Sequence, residues 1–434
     1  MKVLKSLLLL LLLSTLIAGV APAEDYDEEP IAYSRRPADD AVARLQRRIA
    51  AGEVTLTWDD RHGWLPSLLK QLDIPVSSQV LVFSKTSLQR EFIAPDRPRA
   101  LYFNDEVYIG TVQHSEVIEI ASTDPRQGTM FYVGNNRRSG MKTERQTHEC
   151  LQCHDSNAFT GGVPGLMMRS VFPGQDGRPI LTAGSHVTDH RSPLPQRWGG
   201  WFVTGTTGTL GHLGNQIFSE NITPEHADPL RGAGRTSLVG LLDTDPYLTP
   251  HSDVVALLVL GHQVQMHNLL TRASYEGRRA LRDDLVMNEA LGRPLDFRSD
   301  TFRRRIASVG EALLRFLLYA DEASLTGTVR GTSTFAADFQ AHGPRDTQGR
   351  SLRDLDLERR LLKHPLSHLI YSQSFDALPP PIHAYVLERL LTVLTATVTD
   401  DRYNRLTLAD RRAVLEILVA TKPGLPPGFA TALR

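Results

Sequence analysis

Residues 99–133 decide the fold and read RALYFNDEVYIGTVQHSEVIEIASTDPRQGTMFYV. Short runs rich in β-branched and aromatic residues alternate there with turns that contain Asn, Asp, Gly or Pro, a pattern typical of β-strands. The runs are Arg99–Phe103, Val107–Ile109, Glu116–Ile120 and Thr129–Val133. This stretch predicts that the first half of the chain contains a sheet.

The sheet-containing region extends on both sides of this stretch. Two helices are expected before it, over Asp39–Ala51 and Trp64–Leu72. Further strand-like runs are Gln79–Phe83, Met167–Phe172, Pro179–Thr182 and Trp201–Thr204. We therefore expect a sheet-containing region over residues 41–245, preceded by a flexible leader, residues 24–40, that is acidic and then contains Arg and Pro.

The pattern changes to helical periodicity in the second half of the chain. Candidate helices cover Ser252–Ala273, Gly277–Leu291, Thr301–Tyr319, Leu352–Lys363, Pro381–Ala396 and Leu408–Thr421. A capping box from Thr407 to Asp410 opens the last helix, and Pro423 with Gly424 ends it. The sequence thus predicts an α+β protein, with a sheet-rich N-terminal half and a mostly α-helical region over residues 246–434.

The composition is that of an ordinary globular protein. The 434 residues include 41% hydrophobic and 22% charged residues, which excludes a disordered or collagen-like chain. Lys and Arg number 48 against 49 Asp and Glu, giving a formal net charge of −1. Proteins held to nucleic acid by bulk electrostatics are usually strongly basic, so we expect no nucleic-acid partner.

The first residues have the pattern of an export signal. Lys2 and Lys5 precede an unbroken leucine run, Leu7–Leu13, and Ala21-Pro-Ala23 supplies a small-x-small cleavage pattern. We expect a signal peptide over residues 1–23 and a periplasmic or otherwise exported bacterial protein. A retained N-terminal anchor is the alternative, although the apolar run is short for a span of about 20 residues. No later run is long enough to cross a membrane, so no transmembrane span is expected in the mature chain.

The residues with a chemical signature lie at 148–154, His-Glu-Cys-Leu-Gln-Cys-His. Both cysteines of the chain, Cys150 and Cys153, are three residues apart and are followed directly by His154. Cys-x-x-Cys-His is the attachment motif of c-type haem. Two thiols on one helical turn reach the two vinyl groups at one porphyrin edge, and the adjacent imidazole becomes the proximal ligand of the iron. We therefore expect one covalent haem c, held by Cys150, Cys153 and His154.

Three other uses of the two cysteines remain open. A thioredoxin-like dithiol would place the pair at a helix start in a βαβ unit, whereas here we expect it toward the end of a short helix that begins near Lys142. A disulfide closing so small a loop would contribute little stability. A zinc site could use His148 or His154 but would need two further ligands from distant residues.

With this motif, the chain resembles the mono-haem c-type cytochromes, and the resemblance implies thioether attachment at Cys150 and Cys153 and a proximal ligand at His154. The closing helix, with Asp410-Arg-Arg-Ala-Val-Leu-Glu-Ile-Leu, is similar to the final helix of small cytochromes c. More of the chain resembles a group of large exported bacterial haem proteins of undefined activity. That likeness lies in Pro98-Arg-Ala-Leu-Tyr-Phe-Asn-Asp105, Arg197-Trp-Gly-Gly-Trp201 and His368-Leu-Ile-Tyr-Ser-Gln-Ser-Phe-Asp-Ala-Leu378.

Two features depart from the small cytochromes. The haem motif lies in mid-chain, and the chain is several times longer than a simple electron carrier requires. The small-cytochrome fold therefore does not describe the whole chain, and a single motif does not fit the di-haem peroxidase pattern.

Several residues are candidates for the sixth iron ligand, which is usually methionine or histidine in electron carriers. His262, Met266 and His267 lie close together on one predicted helix, which would hold a ligand rigidly. The other candidates, in loops or strand-like runs, are His190, His212, Met167 and Met168. An empty sixth position is a further alternative and would let small oxidants reach the iron.

These features predict an exported electron-transfer protein with one covalent haem and an unidentified redox partner protein. The haem is expected between the sheet-rich and helical halves. The alternative is a haem oxidoreductase, peroxidase-like, with an open or displaceable distal site. A haem-based sensor or binding protein is a third possibility.

Overall fold

The computed structural model describes residues 26–396 and 400–434, so the predicted signal peptide lies outside the described residues. The centre of the N-terminal half is a six-stranded antiparallel sheet in which the strands follow one another in chain order. Its strands are β1 (Val80–Val82), β2 (Arg99–Phe103), β3 (Val107–Thr111), β4 (Val117–Asp124), β5 (Gly128–Asn135) and β6 (Thr143–Gln146). Two small two-stranded sheets pair β7 (Arg169–Val171) with β8 (Ser185–Val187) and β9 (Thr206–Thr207) with β10 (Val329–Arg330).

Helices precede the sheet and make up most of the C-terminal half. They are α1 (Ala41–Ala50), α2 (Leu65–Gln71), α3 (Leu151–His154), α4 (Val254–Ala290), α5 (Asp300–Leu317), α6 (Phe335–Ala341), α7 (Gln373–Asp376), α8 (Pro380–Thr395), α9 (Leu408–Thr421) and α10 (Pro427–Thr431). The chain is therefore an α+β protein with a sheet-rich N-terminal half and a mostly helical C-terminal half, as predicted. No helix within the described ranges has the length and apolarity that crossing a membrane requires.

The two faces of the sheet are covered by different elements. Tyr108 and Phe131 are both register partners of Ala121 and share one face, because side chains alternate along a strand. Helix α4 covers this face, and Gln263 Nε2 donates to Tyr108 Oη at 2.8 Å. On the opposite face, Tyr132 donates its hydroxyl to the Asp40 carboxylate that caps α1.

Helix α4 joins the two halves of the molecule. It has 37 residues and is therefore about 55 Å long. Asp253 caps its N-terminus by accepting hydrogen bonds from the amides of Val255 and Ala256. Its N-terminal part belongs to the core under the sheet, and most of the buried side chains that follow belong to the core of the C-terminal helices.

Residues 26–40, expected to form a flexible leader, pack against the sheet. Ile31 and Tyr33 are fully buried, and the Tyr33 hydroxyl donates to the carbonyl of Thr129 at 2.8 Å. The prediction of a flexible leader is therefore wrong for these residues. It rested on the acidic and Arg/Pro-containing composition and overlooked the free energy gained by burying the apolar side chains.

Two predictions about helices are wrong. The helices expected over Ser252–Ala273 and Gly277–Leu291 form one continuous helix, α4. Gly277 does not break it but lets α8 approach closely, since a Cβ there would lie 2.7 Å from Ile382 Cγ1. The helix expected over Leu352–Lys363 does not form. The segment folds back on itself, and the Asp356 carboxylate accepts two backbone amides in the turn.

Three further local predictions are also wrong. Instead of a strand over Pro179–Thr182, a 3₁₀ turn covers Leu181–Ala183. Trp201–Thr204 makes only isolated bridges rather than a strand. The short helix expected to begin near Lys142 is replaced by strand β6, and the helix that holds the cysteine motif begins after it.

Candidate functional site

The cysteine motif forms a single helical turn beside the sheet. Cys150 directly precedes α3, and its carbonyl accepts the amide of His154 at 3.0 Å. Both cysteines are free thiols; Cys150 is half-buried and Cys153 is exposed. The two thiols and the imidazole are thus carried by one turn of backbone, as the spacing of the motif predicts.

The imidazole of His154 is fixed in orientation by a backbone carbonyl. Its Nδ1 lies 2.9 Å from the carbonyl oxygen of Gly165, which is a hydrogen bond only when Nδ1 carries the proton. Nε2 then has a free lone pair, and no described residue forms a hydrogen bond with it. The ring packs 4.8 Å, centroid to centroid, from Phe131 on the sheet face covered by α4. Burial lowers the pKa of His154 below its usual value, so the ring is neutral at neutral pH.

The carbonyl that orients His154 is itself held by helix α4. Asn268 accepts the amide of Leu166 at 3.0 Å and donates to the carbonyl of Leu166 at 2.7 Å. A Cβ on Gly165 would lie 2.3 Å from Asn268 Oδ1, so only glycine leaves room for this close approach. The loop after the motif is therefore clamped to α4 next to the His154 hydrogen bond.

A charged pair lies near the motif on the same sheet face. Arg99 and Glu119 form an ion pair, and the Arg99 guanidinium occupies the space above Gly110. Burial, and then the negative charge of Glu119, raise the pKa of the Cys150 thiol to about 11. Reactive dithiols of the thioredoxin type have a lowered thiol pKa, so this environment does not favour thiolate chemistry at Cys150.

The residues present fit a covalently attached haem in the chemistry of their donor set. Attachment needs two free thiols on one turn, and Cys150 and Cys153 provide them. Proximal ligation needs a neutral imidazole with a free Nε2 and a hydrogen bond at Nδ1, and His154 has both. In the parts of the chain that the structure describes, no three His, Cys, Asp or Glu residues are grouped to hold a metal ion on their own.

Two candidates for the sixth ligand, His190 and His262, form a hydrogen bond with each other. Their Nδ1 atoms are 2.7 Å apart, and Nε2 of His262 lies 2.8 Å from the hydroxyl oxygen of Ser367. Both rings are fully buried and stack on Phe316 and Tyr319. Both nitrogens of His262 are therefore engaged, while Nε2 of His190 has no partner among the described residues.

The remaining histidine candidates also lie in the interior. His267 is placed with Nε2 2.8 Å from the carbonyl oxygen of Asp105. His212 accepts the amide of Gly214 at Nδ1 and packs edge-on against Trp198.

The methionine candidates lie in different parts of the structure. Met266 belongs to the core of the C-terminal helices, whereas Leu151 of the motif belongs to the core under the sheet. Met168 is buried near Gly261 of α4, and Met167 is half-buried. Among the described residues, no sixth-ligand candidate makes a hydrogen bond or ring contact with His154.

Several residues that organise the site were not predicted from the sequence. Asn268 and Phe131 belong to separate elements, and nothing local marks them as neighbours of His154. Gly165 ends a glycine-rich turn beginning at Thr160, and this turn was the only signal available. Glu119 alternates with apolar residues in β4 and resembles an ordinary solvent-facing strand position.

Comparisons of the chain with protein-family models, curated proteins and solved structures find no match.

Proposed function

We propose that this protein is a mono-haem c-type electron-transfer protein, with haem attached through Cys150 and Cys153 and with His154 as proximal ligand. The observation that carries the proposal is the hydrogen bond from His154 Nδ1 to the Gly165 carbonyl, which leaves Nε2 free. Histidines that bind metals almost always donate their other ring N–H in this way. The hydrogen bond to Gly165 is the only one that the imidazole of His154 makes with the described residues, so Nε2 is not held by another group.

Haem, when bound, supplies one-electron chemistry at its iron. The residues of the chain hold and tune it. Gly165 fixes the tautomer and orientation of His154, and Asn268 fixes Gly165 through the neighbouring backbone. A hydrogen bond at Nδ1 makes the imidazole a stronger electron donor and so stabilises the oxidised iron. Exposure of Cys153 leaves this end of the motif accessible to a redox partner protein.

A second candidate function is that of a haem oxidoreductase with an open or displaceable distal site. The engagement of both nitrogens of His262 in interior hydrogen bonds favours it, because this candidate for the sixth ligand then has no free nitrogen. An open distal position would allow small oxidants to reach the iron. The two functions share the same attachment residues and differ only in coordination.

An absorption spectrum of the reduced protein, with and without carbon monoxide, separates the two functions. The protein should be produced in a host that attaches c-type haem. A low-spin spectrum that carbon monoxide leaves unchanged supports the electron carrier, and a high-spin spectrum that shifts with carbon monoxide supports the oxidoreductase. A His148→Ala variant serves as the control for His154→Ala, since only the latter should change the spectrum. The proposal fails if the two variants have the same spectrum as the parent.

We also propose that the chain is exported, because c-type haem in bacteria is attached outside the cytoplasmic membrane. The sequence pattern places cleavage after Ala23, so the mature chain should begin at Glu24. Sequencing the N-terminus of the periplasmic or secreted protein tests this. A cytoplasmic chain that begins at Met1 would contradict it.

A further inference from the structure

An exposed apolar surface lies where the C-terminal end of α4 meets the loop to α5. Of the fifteen large apolar side chains that are exposed among the described residues, six lie within residues 285–297. Apolar side chains scattered singly over a surface need no explanation, whereas a group of them marks an interaction site. The six side chains form what we name the apolar tip, and each is between 41% and 59% exposed: Leu285, Val286, Met287, Leu291, Leu295 and Phe297.

The apolar tip is held in place by two polar side chains of α4 that face the start of α5. The Asp284 carboxylate accepts the hydroxyl of Ser299 at 2.7 Å and its amide at 3.1 Å. Asn288 donates to the carbonyl of Phe297 at 2.9 Å. Both Asp284 and Asn288 are buried. The loop is therefore fixed to the end of α4, and the exposure of its apolar side chains is a feature of the folded structure.

The exposed residues at the end of α4 point to three sides of the helix. Successive residues of a helix are rotated by about 100°, so Leu285, Val286 and Met287 together span an arc of about 200°. Asp284 and Asn288 take the remaining side, which faces α5. A flat protein surface contacts one side of a helix and would leave the other sides in water. A fluid apolar medium surrounds such a helix end, so the geometry favours lipid.

Two arginines beside the apolar tip lie against aromatic rings. Arg293 Cζ is 5.3 Å from the ring centroid of Phe297, and Arg298 Cζ is 5.4 Å from that of Phe302. Neither guanidinium forms an ion pair with a carboxylate in the described part of the chain. An arginine placed in this way covers apolar surface with its stem and keeps its charge available for phosphate groups, as arginines at membrane interfaces do.

We propose that the apolar tip docks on a phospholipid bilayer, with its side chains among the acyl chains and with Arg293 and Arg298 at the level of the phosphates. Such insertion is about 5–10 Å deep and does not cross the membrane. Two exposed carboxylates in the same segment, Glu289 and Asp296, offset the charges of the two arginines. Insertion of apolar side chains, rather than net charge, should therefore drive binding. The inference is independent of the haem proposal.

Co-sedimentation with vesicles of equal parts phosphatidylethanolamine and phosphatidylglycerol tests the proposal. The chain used should begin at Glu24, because the leucine run Leu7–Leu13 would itself bind lipid. We expect the parent protein to bind, and to remain bound in about 0.5 M sodium chloride, where interactions between exposed charges are largely screened. Val286→Glu/Leu295→Glu should weaken binding at least about tenfold, because two inserted side chains become charged.

Val239→Glu/Leu230→Glu is the matched control. It makes the same two substitutions, with the same change of charge, at residues that lie outside the apolar tip and are 81% and 60% exposed. This control should bind vesicles as the parent does. Both double variants should keep the parent's thermal unfolding temperature, because all four side chains are exposed.

Sedimentation velocity without lipid distinguishes a bilayer from a second copy of the chain as the occupant of the apolar tip. We expect a monomer for the parent and for both double variants. A dimer that only Val286→Glu/Leu295→Glu dissociates would overturn the proposal, since the apolar tip would then join two copies. The proposal is also overturned if the parent does not bind vesicles, or if the two double variants bind them equally.

Discussion

Gly165→Ala tests the clamp that orients His154. The new Cβ would lie 2.3 Å from Asn268 Oδ1 and 3.1 Å from Thr160 Cβ, well inside ordinary contact distance. Relief requires Asn268 to move away from Leu166 and to lose both hydrogen bonds there. Overpacking costs about 1–3 kcal/mol, and each lost hydrogen bond about 1 kcal/mol. With two hydrogen bonds lost, we therefore expect the free energy of unfolding to fall by about 3–5 kcal/mol.

Gly165→Ala should also act on the haem. A displaced Gly165 carbonyl weakens the hydrogen bond at His154 Nδ1, so the imidazole donates less charge to the iron. The reduction potential should therefore rise. The assays are denaturant unfolding and a redox titration followed by absorbance.

A second glycine and a double-mutant cycle serve as controls. Gly261→Ala places its Cβ 3.5 Å from Met168 Sδ, an ordinary contact, and alanine favours the helix, so stability should stay the same or rise. Asn268→Ala removes the side chain with which the new Cβ of Gly165→Ala would clash. The two substitutions together should therefore lower the free energy of unfolding by clearly less than the sum of their separate effects. The reasoning is refuted if Gly165→Ala leaves stability and potential unchanged, or if the two effects simply add.

Three further predictions concern the motif and the buried histidines. Cys150→Ala and Cys153→Ala should each leave one thioether bond, visible as a shifted reduced absorption band, and identical spectra for parent and variants would contradict thioether attachment at these residues. His154→Ala should keep covalent haem but lose the low-spin or histidine-ligated spectrum, and an unchanged spectrum would exclude His154 as ligand. Burial lowers the pKa of His212 and His267 from 6.5 to about 4, so below pH 6.5 the unfolded chain binds protons that the folded chain does not. Stability should be complete above pH 6.5 and fall toward pH 4, by about 2 kcal/mol for each histidine at about pH 5. Urea unfolding at about pH 7.5 and about pH 5 measures this, and equal stability at both would contradict it.

Much of the fold could be predicted because strands and amphipathic helices have local signatures. The runs between Arg99 and Val133 coincide closely with β2–β5, and the capping box at Thr407 and Asp410 is present at the start of α9. Predictions failed where a distant contact decided the local structure. Gly277 resembles a helix breaker in sequence, but in the structure its missing side chain admits α8.

The grouping of Cys150, Cys153 and His154 was predictable from the sequence, but their surroundings were not. Cys150, Cys153 and His154 are adjacent in sequence, so their grouping needs no tertiary information. Asn268 and Phe131 lie near the motif only because α4 and β5 pack around it, and the spacing of residues in the sequence does not predict such tertiary contacts. For the same reason, the helical spacing of His262 and His267 could not reveal that both form hydrogen bonds in the interior.

Intact-mass measurement of the mature protein, produced in a host with the c-type haem maturation system, tests the central claim most directly. The account predicts the mass of the polypeptide plus one haem, retained after denaturation, and the mass of the polypeptide alone for the double variant Cys150→Ala/Cys153→Ala. A bare polypeptide mass for the parent protein would contradict the account.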